Sequence, residues 1–124
     1  MEFCTAINCM DGRVQLPVIQ YLMDRVGVRH VDSVTEPGPV RILAERDEPA
    51  LVASILARVR VSVERHGSRH VAVVAHHDCT GNPLPREQQL GQLAAAVAFL
   101  REAVPTAEVF GLWVTPELTV QPVE

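Results

Sequence analysis

The chain has 124 residues, of which 48% are hydrophobic and 21% are charged, and its formal net charge is −4. This length suits one domain, residues 1–124, and the apolar fraction is typical of a folded globular protein rather than a disordered one. All eleven basic residues are arginine and only five residues are aromatic, so the sequence lacks the basic stripe and stacking platforms that bind nucleic acids.

The sequence also indicates where the protein works. No apolar run reaches the ~18 residues that a transmembrane helix requires, so we expect no membrane partner. The first residues lack the basic start and long apolar core of a signal peptide, and we therefore expect a cytoplasmic protein. Three cysteines are an odd number, which in a reducing compartment favours a metal site or free thiols over disulfides. Cys4, inside the first apolar run, is expected to be a buried thiol.

The hydrophobic periodicity alternates between strand and helix along the chain. In chain order the predicted elements are a strand at 2–8, a helix at 14–25, a strand at 28–34, a helix at 49–66, a strand at 70–75, a helix at 87–104 and a strand at 108–115. Residues 40–43 either extend the loop at Pro37-Gly38-Pro39 or begin another helix. Residues 118–123 can add a fifth, antiparallel strand. The alternation predicts an α/β three-layer sandwich around a mostly parallel sheet of four strands.

Two polar clusters directly follow predicted strands. The first is Cys9-Met10-Asp11-Gly12-Arg13, and the second is His76-His77-Asp78-Cys79. Because the carboxyl ends of parallel strands meet at one edge of a sheet, we expect both clusters to belong to one ligand site. Cys9, His76 and Cys79 form a ligand set suited to tetrahedral zinc, and three protein ligands leave a fourth position for water or substrate. Taken singly, each cysteine is more often a small buried hydrophobic residue.

The other polar residues of these clusters have alternative interpretations. Asp11 lies close enough to Cys9 to fix or deprotonate a water molecule on the metal, and Arg13 can hold Asp11 through a bidentate pair. We therefore predict both as catalytic residues; the alternative is an exposed ion pair without a chemical role. His77 can be a spare ligand, a proton shuttle or simply an exposed side chain. Asp78 can hold its loop by accepting backbone N–H bonds.

The two clusters resemble the signature of the β-class carbonic anhydrases, in which Cys, His and Cys bind zinc. The matching residues are Cys9-x-Asp11-x-Arg13 and His76-x-x-Cys79. The resemblance implies that Cys9, His76 and Cys79 are the zinc ligands and that Asp11 and Arg13 form a dyad beside the metal. It also implies a sheet of order 2-1-3-4, with the first and third strands adjacent.

Two segments near the clusters can be compared with the same family. Residues 75–79 are similar to its Gly-His-x-Asp-Cys-Gly motif, with Thr80 in place of the glycine after the second cysteine. Where the family usually has an Asn-Ala-Gly type segment after the second strand, residues 33–39 differ, and Glu36 brings a charge to this place. We therefore expect a substrate pocket with a different wall.

The resemblance implies an activity, a cofactor and a partner. The activity is reversible hydration of carbon dioxide to bicarbonate by a zinc-bound hydroxide. Two alternatives are a hydrolase acting on carbonyl sulfide or carbon disulfide at the same site, and a non-catalytic zinc-binding protein that retains the fold. Because the family builds its pocket partly from a neighbouring subunit, the resemblance also implies a homodimer or higher homo-oligomer.

Overall fold

A computed structural model of the chain describes residues 2–123. Within these residues five strands and four α-helices alternate, as the periodicity predicts. In chain order they are β1 (Phe3–Cys9), α1 (Gln15–Val26), β2 (His30–Glu36), α2 (Pro39–Glu45), α3 (Pro49–Arg60), β3 (His70–His76), α4 (Arg86–Ala103), β4 (Glu108–Val114) and β5 (Val120–Val123). None of the helices in residues 2–123 combines the length and the apolar character that a membrane crossing requires.

The five strands form one sheet of order β2-β1-β3-β4-β5. Strands β1 to β4 are parallel, and β5 is antiparallel to β4. The predicted order 2-1-3-4 and the antiparallel fifth strand are therefore confirmed. Strands β1 and β3 are neighbours, with Ile7 opposite Val73, so their carboxyl ends at Cys9 and His76 reach the same edge of the sheet.

Helices cover both faces of this sheet, which confirms the predicted three-layer α/β sandwich. Helix α1 packs Val18 and Leu22 into a buried cluster on one face. Helices α2, α3 and α4 contribute Leu43, Ile55 and Leu93 to the buried cluster on the other face. Fully burying each such side chain stabilises the fold by roughly 1.5–3 kcal/mol. Strand β3 is therefore covered on both sides, as its continuous apolar run predicts.

Two local conformations became clear only in the three-dimensional structure. Gly38 adopts a left-handed conformation at φ +66°, and Pro39 then begins α2, where its fixed φ suits the first helical position. The segment that the sequence left open is therefore helical. After α3 the chain continues as one π-helical turn, Val61–Arg65, which buries Ser62 and places its hydroxyl 2.6 Å from that of Thr5.

Candidate metal centre

The two polar clusters lie side by side at the carboxyl edge of the sheet. Cys9 ends β1, His76 ends β3, and Cys79 follows in the next loop. Their two sulfurs and one ring nitrogen all lie within 4.8 Å of one another, and the two Sγ atoms are 3.9 Å apart. All three side chains are buried. Among residues 2–123 these three form the one cluster of this kind that could hold a metal ion.

The imidazole of His76 is oriented as a metal ligand would be. Its Nδ1 lies 2.7 Å from the carbonyl oxygen of His77, and this contact assigns the hydrogen to Nδ1. The other nitrogen, Nε2, then carries a lone pair, and it is buried without a hydrogen-bond partner among the described residues. Burying a polar atom in this way is costly unless it binds something, and metal-bound histidines commonly bond a carbonyl through their other nitrogen. The residues present therefore fit a divalent metal with two sulfur ligands.

The two thiols of the cluster differ in acidity. The hydrogen bond from the Cys79 thiol lowers the pKa of Cys9 against the opposing effect of burial, and the backbone N–H of Gly38 adds to this effect. The same hydrogen bond, together with burial, raises the pKa of Cys79. Burial lowers the pKa of His76, but the Cys9 thiolate and the His77 carbonyl outweigh this effect and raise it. We therefore expect one thiolate in the cluster before any metal binds.

We expect the metal-free protein to show about one thiolate per chain at about pH 6, where an ordinary cysteine is protonated. The lowered pKa of Cys9 keeps its thiol ionised at this pH, and burial raises the pKa of Cys4 to about 11. Ultraviolet thiolate absorbance during a pH titration measures this. Cys9→Ser should remove the signal and Cys4→Ser should retain it. Thiolate absorbance that appears only above about pH 8 would contradict the lowered pKa.

Asp11 and Arg13 form a bidentate pair beside the cluster. Arg13 Nη2 donates to Asp11 Oδ2 at 2.7 Å, and its Nε donates to Oδ1 at 3.1 Å. The backbone N–H of Arg13 also donates to Oδ1 at 2.9 Å, because Asp11 caps the short 3₁₀ turn Gly12–Val14. These bonds lower the pKa of Asp11 to about 2 and raise that of Arg13. The carboxylate is therefore ionised and fixed in orientation at neutral pH.

Arg13 also joins the two polar clusters to each other. Its Nη1 lies 3.4 Å from Asp78 Oδ2, and its Nη2 donates to the Asp78 carbonyl oxygen at 3.2 Å. Among the described residues the Asp78 side chain and carbonyl oxygen both contact this guanidinium, whereas the sequence had left open a role in accepting backbone N–H bonds. His77 is exposed, and the cluster of metal-capable side chains does not include it. Glu36 pairs with Arg58 of α3 instead of pointing a free charge into the site.

Buried amides support the two ligand loops, and the sequence analysis missed both. Asn8 accepts the Cys9 N–H at 2.9 Å and donates to the Val14 carbonyl oxygen at 3.1 Å. Gln89 of α4 donates to the carbonyl oxygen of His76 at 3.0 Å. An amide directly before a ligand is a local signal that could have indicated Asn8. No local signal exists for Gln89, because its contact depends on where α4 crosses β3.

The loops after β2 and β3 approach each other backbone to backbone at Gly38 and Gly81. A Cβ on Gly81 would lie 2.5 Å from the carbonyl carbon of Pro37, and one on Gly38 would lie 2.8 Å from the carbonyl carbon of Gly81. Carbon atoms repel strongly at these distances, so both positions need glycine. This close approach brings the Gly38 N–H to the Cys9 sulfur and the Cys79 loop to the same place.

We expect Gly81→Ala to reduce the free energy of unfolding by ~1–3 kcal/mol and to weaken metal binding, because the added methyl group forces the two loops apart. The control is Gly91→Ala in α4, where a Cβ would meet nothing within 4 Å. Alanine is the better helix former there by about 1 kcal/mol. Urea denaturation of the metal-free variants measures both changes. A Gly81→Ala protein as stable as the wild type would contradict the close approach.

A small void borders the cluster. It measures about 20 Å³ and is lined by His76 and Arg13 together with Val14, Val114 and Leu118, among others. About 10–15 Å³ of such volume is enough for one water molecule. The void therefore has room for about one water molecule beside His76 and Arg13.

The fold and this cluster define an α/β protein with a metal-capable Cys-His-Cys set and an Asp–Arg pair at the carboxyl edge of its sheet. A family model described as "Putative carbonic anhydrase" matches residues 1–124, and the chain belongs to this family. The resemblance found in the sequence is thus confirmed. No curated protein is significantly similar in sequence to this chain.

Three solved structures of β-carbonic anhydrases have a fold similar to that of this chain. The β-carbonic anhydrase isoform I of Trichomonas vaginalis superimposes with a TM-score of 0.58 at 16% identity, covering 96% of this chain and 80% of that one. For the β-carbonic anhydrase of Aspergillus fumigatus the TM-score is 0.55 at 15% identity, with coverage of 99% and 75%. A tetrameric β-carbonic anhydrase of Sordaria macrospora superimposes with a TM-score of 0.56 at 12% identity, covering 98% of this chain and 80% of that one. The fold is that of the β-carbonic anhydrases.

Proposed function

We propose that this protein is a zinc-dependent carbonic anhydrase that hydrates carbon dioxide reversibly to bicarbonate and a proton. One observation carries the proposal. The buried Nε2 of His76 has no hydrogen-bond partner among the described residues, and a ring nitrogen of His76 lies within 4.8 Å of the sulfurs of Cys9 and Cys79. Membership of the carbonic anhydrase family supports the same reaction.

In this proposal Cys9, His76 and Cys79 hold the zinc ion. Zinc supplies Lewis acidity that makes a water molecule nucleophilic near neutral pH. Thiolates donate more charge to a metal than imidazoles do, so two cysteine ligands would leave the water molecule less acidic than three histidines would. A neighbouring group that orients the water molecule by accepting a hydrogen bond from it therefore contributes more to the rate.

We assign this role to Asp11. Three hydrogen bonds from Arg13 aim its carboxylate, and its low pKa leaves it ready to accept a hydrogen bond. The Asp11 side chain is 21% exposed, so water can reach it from solvent. The exposed imidazole of His77, next to the ligand His76, is placed to pass a proton on to buffer.

We also infer that residues 1–124 form one domain, that it assembles as a homodimer or higher homo-oligomer, and that it acts in the cytoplasm. Met10, next to Cys9 in the chain, and Leu16, near the start of α1, are 62% and 71% exposed, and exposed apolar side chains that group together favour a protein contact. The Sordaria macrospora neighbour is tetrameric. The three cysteines form no disulfide, which suits a reducing compartment.

The proposal is tested by stopped-flow hydration of carbon dioxide on protein whose zinc content is measured in the same sample, over a pH series. We expect turnover that scales with zinc occupancy and rises with pH. Stoichiometric zinc without hydration at any pH would overturn the proposal. Carbonyl sulfide and carbon disulfide are assayed in parallel, because the nucleophile that zinc would generate can also attack these linear molecules. Inactivity towards all three would favour a non-catalytic zinc-binding protein.

A further inference from the structure

Strand β2 forms one edge of the sheet, with β1 on its inner side. The His30 N–H donates to the Glu2 carbonyl oxygen, and the Glu36 carbonyl oxygen accepts the Met10 N–H, so both ends of β2 are bonded to the β1 side through even-numbered residues. Along a strand the backbone groups of successive residues point to opposite sides. The N–H and C=O groups of residues 31, 33 and 35 therefore point away from the sheet, where another strand can bond them.

The opposite edge of the sheet is protected against such pairing. Strand β5 has only four residues, and the Thr119 carbonyl oxygen accepts the Thr115 N–H, so Val120 and Pro122 are the residues whose backbone groups point outwards. Proline has no N–H, and a short strand with an outward proline is a common way to block an edge. Strand β2 has seven residues and contains neither proline nor glycine. It is the edge that suits pairing.

We infer that β2 pairs antiparallel with β2 of a second copy of this chain, about a two-fold axis at Ser33. In this register Ser33 faces Ser33 and Val31 faces Thr35, so all six outward N–H and C=O groups find a partner. On the other face of the strand Asp32 lies opposite Val34, and His30 lies opposite Glu36. No two like charges are directly opposed, so the strand is complementary to itself.

Exposed apolar side chains lie next to this edge. Val61 is 52% exposed and lines a hollow of about 260 Å³ together with Asp32, Ser33 and Val34 of β2. Met10 is 62% exposed and bonds the last residue of β2 through its N–H. A second copy on β2 would cover apolar surface as well as satisfy backbone groups. The inference rests on the homo-oligomer of the proposed function and names the surface that forms it.

The test uses the fact that residue 33 faces its own copy only in this register. Wild type, Ser33→Glu and Ser33→Arg are compared by analytical ultracentrifugation at the same concentrations. We expect a dimeric wild type and, because like charges then face each other, self-association roughly a hundredfold weaker in each variant. An equimolar mixture of the two variants should form dimers again, since opposite charges then meet. Ser33 is exposed, so both variants should fold, and circular dichroism checks this.

The control is Thr106→Glu, which adds the same charge at an exposed residue between α4 and β4, with two strands separating β4 from β2. This variant should remain dimeric. A monomeric wild type, a Ser33→Glu protein that dimerises as well as the wild type, or a mixture that stays monomeric would each overturn the inference. Carbon dioxide hydration by the same zinc-loaded wild type keeps the two proposals apart. A dimer without hydration overturns only the proposed function, and an active monomer overturns only the pairing of β2.

Discussion

Cys79→Ser is expected to lose stoichiometric zinc and, with it, the stability that zinc adds. Structural zinc sites bind the ion with an apparent free energy of ~10–16 kcal/mol, so removing one of the three proposed ligands should weaken the affinity roughly a hundredfold or more. Since zinc at a hundred times its dissociation constant stabilises a protein by about 2.7 kcal/mol, the melting temperature in zinc should fall as well. Metal analysis after gel filtration and thermal unfolding with and without a chelator measure the two effects.

The matched control is Cys4→Ser, the same chemical change at a cysteine outside the cluster. Cys4 is fully buried in β1, as predicted, so a hydroxyl there costs some stability without touching the metal-capable set. This variant should therefore bind as much zinc as the wild type. Stoichiometric zinc in Cys79→Ser would remove Cys79 from the proposed ligand set.

Asp11→Asn is expected to retain zinc and to hydrate carbon dioxide roughly 10²-fold more slowly, because the group proposed to orient the attacking water molecule loses one of its two acceptor oxygens. The amide keeps the shape of the side chain and can still accept the Arg13 N–H, so the loop should survive. The amide offers one oxygen acceptor where the carboxylate offers two. Stopped-flow assays on samples of known zinc content measure the ratio of wild-type to variant turnover. Unchanged turnover in Asp11→Asn would show that the proposed role of the dyad is wrong.

The pH dependence gives this prediction a second readout. The bonds from Arg13 depress the pKa of Asp11 to about 2, so the carboxylate is ionised at neutral pH and its charge is lost only as the pH falls through about 2. Between about pH 5 and 9 the pH–rate profile of the wild type should therefore contain no limb from Asp11. Asp11→Asn should lower the whole profile without changing its shape.

Asp78→Asn is the control for Asp11→Asn. Asp78 also contacts Arg13, but its side chain is 72% exposed and the contact is long at 3.4 Å. Pairs this exposed contribute little, so we expect turnover to fall by less than about threefold. A loss as large as that of Asp11→Asn would move the proposed role from Asp11 to the Arg13–Asp78 contact.

Much of the fold is determined by local features of the sequence. The short apolar run of β1 and the helical period of α3 and α4 depend on near neighbours, so the elements and their order could be predicted. The continuous apolar run ending at Ala75 indicated a strand covered on both faces, and both faces are covered. The same analysis placed polar clusters at the ends of β1 and β3, because strand ends are marked by where the apolar runs stop.

The sheet order came from the family resemblance and not from periodicity, which says nothing about which strands are neighbours. The distance of 3.9 Å between the sulfurs of Cys9 and Cys79 follows from β1 lying beside β3 in a set register. The residue types by themselves indicated the metal-binding chemistry of the ligand set. Whether those residues meet was decided by tertiary structure.

Other features of the site had no local signal at all. Gly38 and Gly81 are glycines because two loops touch backbone to backbone, and Gln89 reaches His76 from a helix thirteen positions further along the chain. Leu118 departs from the turn chemistry that sequence rules expect, and its place beside the void appears only in three dimensions. Periodicity and turn propensity are properties of neighbouring residues. Contacts between distant loops depend on how the completed layers pack, and only the tertiary structure decides them.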